Sequence, residues 1–211
     1  MMTLKFIKSF LNDREVLLTT IPYLIEKNSP LLSTQSGKML LDLLVLGEDH
    51  RNRYHIGFDI IAITRAIYRR VTTGLKEGAS TIEQQLVRVI TADYSMTFSR
   101  KLKEILLAVI IRMKFDRQQL AISYLDIAYY GTEYPSLDAI LAGFGLSRDA
   151  DIDLKVCASI IARLKYPEPR VMSESNNYQI ERRTSHLLKL YLRKHPIHLK
   201  LISAIISTIR Q

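Results

Sequence analysis

The chain has 211 residues, 47% of them hydrophobic, with eight glycines and six prolines, a composition that favours helices and suffices for one core with room for a small lobe. A formal charge of +9 calls for an anionic partner: nucleic acid, anionic lipid or a phosphate-bearing substrate. One cysteine, Cys157, excludes an intramolecular disulfide, and no stretch approaches the roughly 20 apolar residues of a membrane span.

Apolar spacing is helical nearly throughout and predicts helices over 3–11, 14–27, 37–46, 58–74, 81–92, 99–114, 117–129, 136–144, 152–164, 176–194 and 198–209. In the N-terminal MMTLKFIKSFLNDREVLL, Lys8, Asp13, Arg14 and Glu15 interrupt the apolar runs, so it reads as neither signal peptide nor anchor. Cys157 in KVCASII reads as a small core residue. The C-terminal LKLISAIISTIRQ reads as a closing core helix, with a membrane-surface helix as the alternative. The least regular parts are 48–57, 74–80, 131–136 and 165–176.

Unusual chemistry gathers in two of these. Residues 48–59, EDHRNRYHIGFD, lie between two apolar stretches. A glutamate emerging from an apolar segment, as Glu48 does, has its charged form disfavoured, which suits a general base. The competing expectation is a solvated loop, and His50 with His55 falls short of a metal site. The helix expected next carries Ile60, Ile61, Ile63, Ala66 and Ile67 beside Arg65, Arg69 and Arg70. That suits membrane contact or a core helix with a basic outer face. Residues 78–88, GASTIEQQLVR, follow: Ser80 and Glu83 have the spacing of a capping box. A helix N-terminus behind a small-residue loop is a natural anion site. In SRKLKEILLAVIIRMKF, Ser99 is the expected cap, and Arg100, Lys101 and Lys103 oppose the macrodipole, a cost that something anionic would offset. Glu104, one turn after Arg100, reads first as its ion-pair partner.

Taken together, these blocks resemble the signatures of the peptidoglycan glycosyltransferases, glycosyltransferase family 51. That family comprises the polymerase domain of bifunctional penicillin-binding proteins and the monofunctional enzymes. Glu48-Asp49 with His55, Gly57 and Asp59 is similar to the first signature, GASTIEQQL to the second, RKLKE to the third and SYLDIAYYG to the fourth. The resemblance is strongest over residues 45–165 and implies one lysozyme-like glycosyltransferase domain over 1–211. Its fold is mostly α, a larger helical lobe and a smaller lobe with a cleft between. The implied reaction polymerises lipid II: an acceptor 4-hydroxyl attacks the anomeric carbon of the growing glycan chain, and undecaprenyl diphosphate leaves with inversion. By position Glu48 is the base, and Glu104 is the second acid, near the donor diphosphate. Glu104 would orient basic groups there or help hold a divalent metal such as magnesium or manganese; no cofactor is certain. Asp49, His55, Ser80, Thr81, Gln84, Gln85, Arg88, Arg100 and Lys101 are the implied substrate-binding set.

Four positions depart in type from the signatures, Asn52, Arg112, Ile122 and Asp126, and Arg88 stands where the family has lysine, which keeps the charge but replaces a point donor by a fork. They keep open a catalytically weak binder of lipid II or membrane; a lysozyme-like hydrolase is a second alternative. Nucleic acid is not expected, since no recognition-helix or stacking pattern accompanies the charge. The family works on the outer face of the cytoplasmic membrane. With no signal or anchor seen, a cytoplasmic protein or one delivered by another route is also compatible, and a membrane surface is an expected partner.

Overall fold

The computed structural model describes residues 2–75 and 77–196. Among these the fold is helical: α1 (Met2–Ser33), α2 (Gln35–Glu48), α3 (Ile60–Thr73), α4 (Ile82–Thr91), α5 (Phe98–Lys114), α6 (Arg117–Ile127), α7 (Leu137–Gly143), α8 (Leu154–Lys165) and α9 (Glu174–Lys194). A 3₁₀ turn, Asn52–Tyr54, lies between α2 and α3. Extended pairing among the described residues is confined to bridges from Gly131 to Tyr134 and Glu168. The mostly α, lysozyme-like expectation is what the structure shows.

Three local expectations change. The two helices expected over 3–11 and 14–27 are one, which carries Pro22 and Pro30 in its interior and ends at Ser33. Helix α4 is capped by Thr81, whose hydroxyl accepts from Gln84 N, so Ser80 is not the cap. Helix α5 is capped by Thr97, not Ser99. The helix expected over 198–209 lies outside the described residues.

Helix α2 is the hub. Met39, Leu40, Leu41, Leu43 and Leu44 are buried on several sides of it, as befits a helix surrounded by others. It packs against α8, α9, α1 and α6. Burying each such leucine contributes about 1.5–3 kcal/mol. Cys157 is buried in the same core, as expected. The strength of this packing matters for function because Glu48 is the last residue of α2.

Two of the four departures are absorbed in this core. Ile122 is fully buried on α6. Asp126 is buried on α6 and accepts from Lys27 Nζ at 2.9 and 3.1 Å and from Arg148, which also reaches Asp138 and Asn28. A buried carboxylate is tolerated when cations and hydrogen bonds compensate it.

Helix α3 behaves differently. Of its residues only Ala62 is buried, while Ile60, Ile61, Ile67, Tyr68 and Val71 are exposed. The core-helix reading of this segment therefore fails; Ala62 apart, its large apolar side chains are mostly left exposed among the described residues. Its start is set by Asp59, whose carboxylate accepts from Ile61 N and Ala62 N, and its end by Gly74 in the left-handed conformation.

Candidate active site

The polar stretch over residues 48–59 is not a solvated loop: Asp49, Asn52, His55 and Asp59 are buried. Asp49 caps the end of α2 and is buried. It accepts from His55 Nε2 at 3.0 Å, from Ile82 N at 3.2 Å and from Asn52 Nδ2 at 3.3 Å. One carboxylate thus ties this loop to the first N–H of α4, an N–H with no partner inside its own helix. Asn52, the third departure, joins that bond set; its carbonyl accepts from Arg117 Nε at 2.9 Å. Burial alone would depress the His55 imidazole, but Asp49, with Glu83 and Asp59 behind it, holds it above its ordinary value.

Gly57 is required by position. It has φ 109°, and a Cβ there would stand 2.7 Å from the backbone of Ala108 in α5. That close approach lets the Gly57 carbonyl accept the Thr81 hydroxyl at 2.8 Å. Loop, α4 and α5 are thereby locked together.

Glu48 emerges at the edge of a cleft of about 480 Å³. It is joined there by Asp49, Ser80, Thr81, Gln85 and Arg88, all expected from sequence. Its surroundings differ from the apolar ones anticipated. Arg183 of α9 donates through Nη2 to the Gly47 carbonyl at 2.6 Å and to Glu48 Oε1 at 3.2 Å. A guanidinium at the negative end of α2 is favourable in itself and fixes the glutamate's direction.

Behind Arg88 lies Glu104, its side chain 3% exposed. Its Oε2 accepts from Arg88 Nε at 3.0 Å and from Arg100, and its Oε1 from Arg88 Nη2 at 3.2 Å and Lys101 Nζ at 2.5 Å. Burial would push this carboxyl up; Arg88 and Lys101 hold it below its ordinary value. Three cations against one carboxylate leave two positive charges in excess. Arg88 Nη2 and Lys101 Nζ also reach Ser80 Oγ, at 3.3 and 3.2 Å, and Lys101 donates to Gln84 Oε1 at 2.7 Å. The remaining cation of α5's first turns, Lys103, pairs with Asp13 and Asp93. The chain's own carboxylates therefore offset only part of the charge cost at the start of α5.

His55, Gln84, Arg100, Lys101 and Glu104 do not line the cleft; they support residues that do. Sequence reasoning missed Arg183, Lys165 and Tyr124. The first two line the cleft, and Tyr124 donates to Gln85 Oε1 at 2.6 Å. Arg183 meets Glu48 across 135 positions, a pairing with no local sequence signal.

A divalent metal at Glu104 does not fit, because both oxygens are engaged by cations that would repel it. Among the described residues one group has ligand atoms close enough for a metal: Asp49, His55 and Glu83, within 4.8 Å of one another and all buried. As placed, His55 Nε2 and Asp49 form a hydrogen-bonded pair. Glu83 stands beside them without a hydrogen-bond partner, and burial pushes its carboxyl up. The nearby Thr81 hydroxyl does not serve it, since its proton goes to Gly57.

The helical fold thus brings a carboxylate, Glu48, and a cation anchored by a buried carboxylate, Arg88, into one cleft. Comparison with known proteins gives the family: residues 16–191 match the model described as transglycosylase, and the chain belongs to that family. It is 32% identical over 162 residues to penicillin-binding protein 1A of Vibrio cholerae, covering 76% of this chain and 19% of that protein. It is 34% identical over 107 residues to penicillin-binding protein 1F of Bacillus subtilis, covering 50% and 15%. A monofunctional glycosyltransferase of Staphylococcus epidermidis is 27% identical over 174 residues, covering 79% and 65%. The chain thus spans less than two thirds of the length of each of these relatives.

Proposed function

We propose that this chain is a peptidoglycan glycosyltransferase that polymerises glycan strands from lipid II, releasing undecaprenyl diphosphate with inversion. The observation that carries this reading is the shared cleft: Glu48, Ser80, Gln85 and Arg88 all line it. Glu48 takes the proton of the acceptor hydroxyl as it attacks the anomeric carbon of the growing chain. Arg88, steadied by Glu104, meets the charge that develops on the leaving diphosphate, and the two surplus positive charges match that group. Ser80 Oγ, held by Arg88 and Lys101, and the Gln85 amide supply neutral hydrogen bonds to sugar or phosphate oxygens.

The exposed Ile60, Ile61, Ile67, Tyr68 and Val71 of α3, with Arg69 and Arg70 beside them, support contact with an anionic membrane surface, where a lipid-linked substrate lies. Such a protein works at the outer face of the cytoplasmic membrane. No helix of the described residues is long and apolar enough to cross a membrane.

A phosphoglycolipid inhibitor tests the cleft without turnover. It should bind the intact chain and displace lipid II, and Arg88→Ala should weaken it at least about tenfold through loss of a charge-assisted phosphate contact. Equal binding to the variant would remove Arg88 from the phosphate site.

A further inference from the structure

Ser80 and Glu83 have the spacing of a capping box, but the cap of α4 falls on Thr81, which leaves the Glu83 carboxylate without that task. Glu83 is 1% exposed, and neither of its oxygens has a hydrogen-bond partner among the described residues. An unpaired buried carboxylate is costly and calls for a cation or a proton. Its neighbours are Asp49 and His55: one ligand atom from each of the three lies within 4.8 Å of the other two, and all three residues are buried. Asp49 Oδ2 is taken by Ile82 N and Asn52 Nδ2, at 3.2 and 3.3 Å, which leaves Oδ1 facing His55 Nε2 at 3.0 Å. Two donors at that separation subtend about 90° at a metal roughly 2.1 Å from each. One imidazole and two carboxylates make the mixed nitrogen and oxygen set that takes zinc or a similar divalent transition metal, and the two negative charges cancel those of the ion. Asp49 and Thr81 line the Glu48 cleft, which gives an ion its way in.

We propose that Asp49, His55 and Glu83 form a buried site for one divalent transition-metal ion, which fastens the Glu48 end of α2 to the start of α4. The ion takes the place of the proton that His55 Nε2 shares with Asp49. That proton passes to Nδ1, and the long contact there from Gly57 N, 3.3 Å, gives way. Any proton on Glu83 leaves to water. The Glu83 side chain, held by no hydrogen bond, turns the remaining distance toward the pair. The ion's role is structural. Asp49 follows Glu48 directly, and Glu83 lies in the first turn of α4, just after Ser80 and Thr81 of the cleft. Metal binding there needs no particular substrate, and its test reads no turnover.

The probe is Zn²⁺ alone, added to the intact chain after treatment with a chelator. Calorimetry should show one site with a dissociation constant below about 10 μM. At a hundredfold excess over that constant the melting temperature should rise by about 5 °C or more. Glu83→Gln keeps the size of the side chain and removes its charge, and should weaken the site at least about a hundredfold. Zn²⁺ held instead by an exposed histidine such as His50 would be insensitive to that change. If the variant does not fold, crystals of the unaltered chain soaked in Zn²⁺ decide, with an anomalous-scattering peak expected between Asp49, His55 and Glu83. No binding, a peak at other residues only, or equal binding by the Glu83→Gln chain would overturn the site and leave Glu83 a protonated core acid.

Discussion

Glu48→Gln is expected to lower glycan formation from lipid II at least about a hundredfold, equivalent to about 2.7 kcal/mol of barrier, with lipid II binding retained. The amide has nearly the shape of the carboxylate, and its oxygen still accepts from Arg183, whose second bond, to the Gly47 carbonyl, does not involve the altered side chain. What disappears is the ability to accept a proton from the attacking hydroxyl. The effect should therefore fall on kcat, with KM changed little. Steady-state kinetics with labelled lipid II, together with direct binding to the variant, measure both halves. A variant that turns over like the unaltered chain would remove Glu48 from the base role. A variant that loses binding as completely as rate would make it a structural residue.

Replacing Glu104 should damage both stability and rate. Its carboxylate is the shared partner of Arg88, Arg100 and Lys101, and its side chain is 3% exposed. Removing one member of a buried ion-pair set leaves the others uncompensated, at a cost of about 3–5 kcal/mol when all are buried. Arg88 and Lys101 are about one-third exposed, so about 2 kcal/mol is the better expectation for Glu104→Gln. The sign with pH follows from the direction of the shift. The folded chain holds this carboxyl below its ordinary value, so its stabilisation is present above roughly pH 4.3 and is lost as pH falls through the folded value. The glutamine variant should lack this acid-side loss. Freed of Glu104, the three cations should also take up an added diphosphate, so inorganic pyrophosphate should raise the melting temperature of the variant more than that of the unaltered chain. Thermal melts with and without pyrophosphate, beside the lipid II rate, check this. Equal melting temperatures and equal rates would reduce Glu104 to a surface ion pair.

Much of this arrangement was legible because it is local. The turns carrying Glu48, Asp49, His55 and Gly57, and the loop entering α4, use residue types whose roles follow from short spacing. Even so, the cap of α4 moved from Ser80 to Thr81, and the cap of α5 from Ser99 to Thr97, because neighbouring hydroxyls compete for the same N–H groups and tertiary bonds decide between them. Ser80 is claimed instead by Arg88 and Lys101. The pairing of Arg183 with Glu48 was not legible, since it depends on α9 packing against α2 across most of the chain. The altered signature positions find their reasons only in three dimensions. Asn52 bonds Asp49, Asp126 meets Lys27 and Arg148, Ile122 fills the core, and Arg112, the fourth departure, donates to the Phe115 carbonyl at 2.8 Å at the end of α5. None of the four lines the cleft, and Asn52 reaches it only through Asp49.

The central claim is that a base at position 48 and phosphate-handling cations centred on Arg88 of the same cleft join sugars from a diphosphate-linked donor. Its most direct test is incubation of the purified chain with labelled lipid II in anionic detergent-lipid micelles, followed by separation of products by length. Glycan strands longer than the disaccharide, with one undecaprenyl diphosphate released per new linkage, are the result expected. Unchanged lipid II, or soluble fragments cut from preformed peptidoglycan by the same preparation, would contradict it.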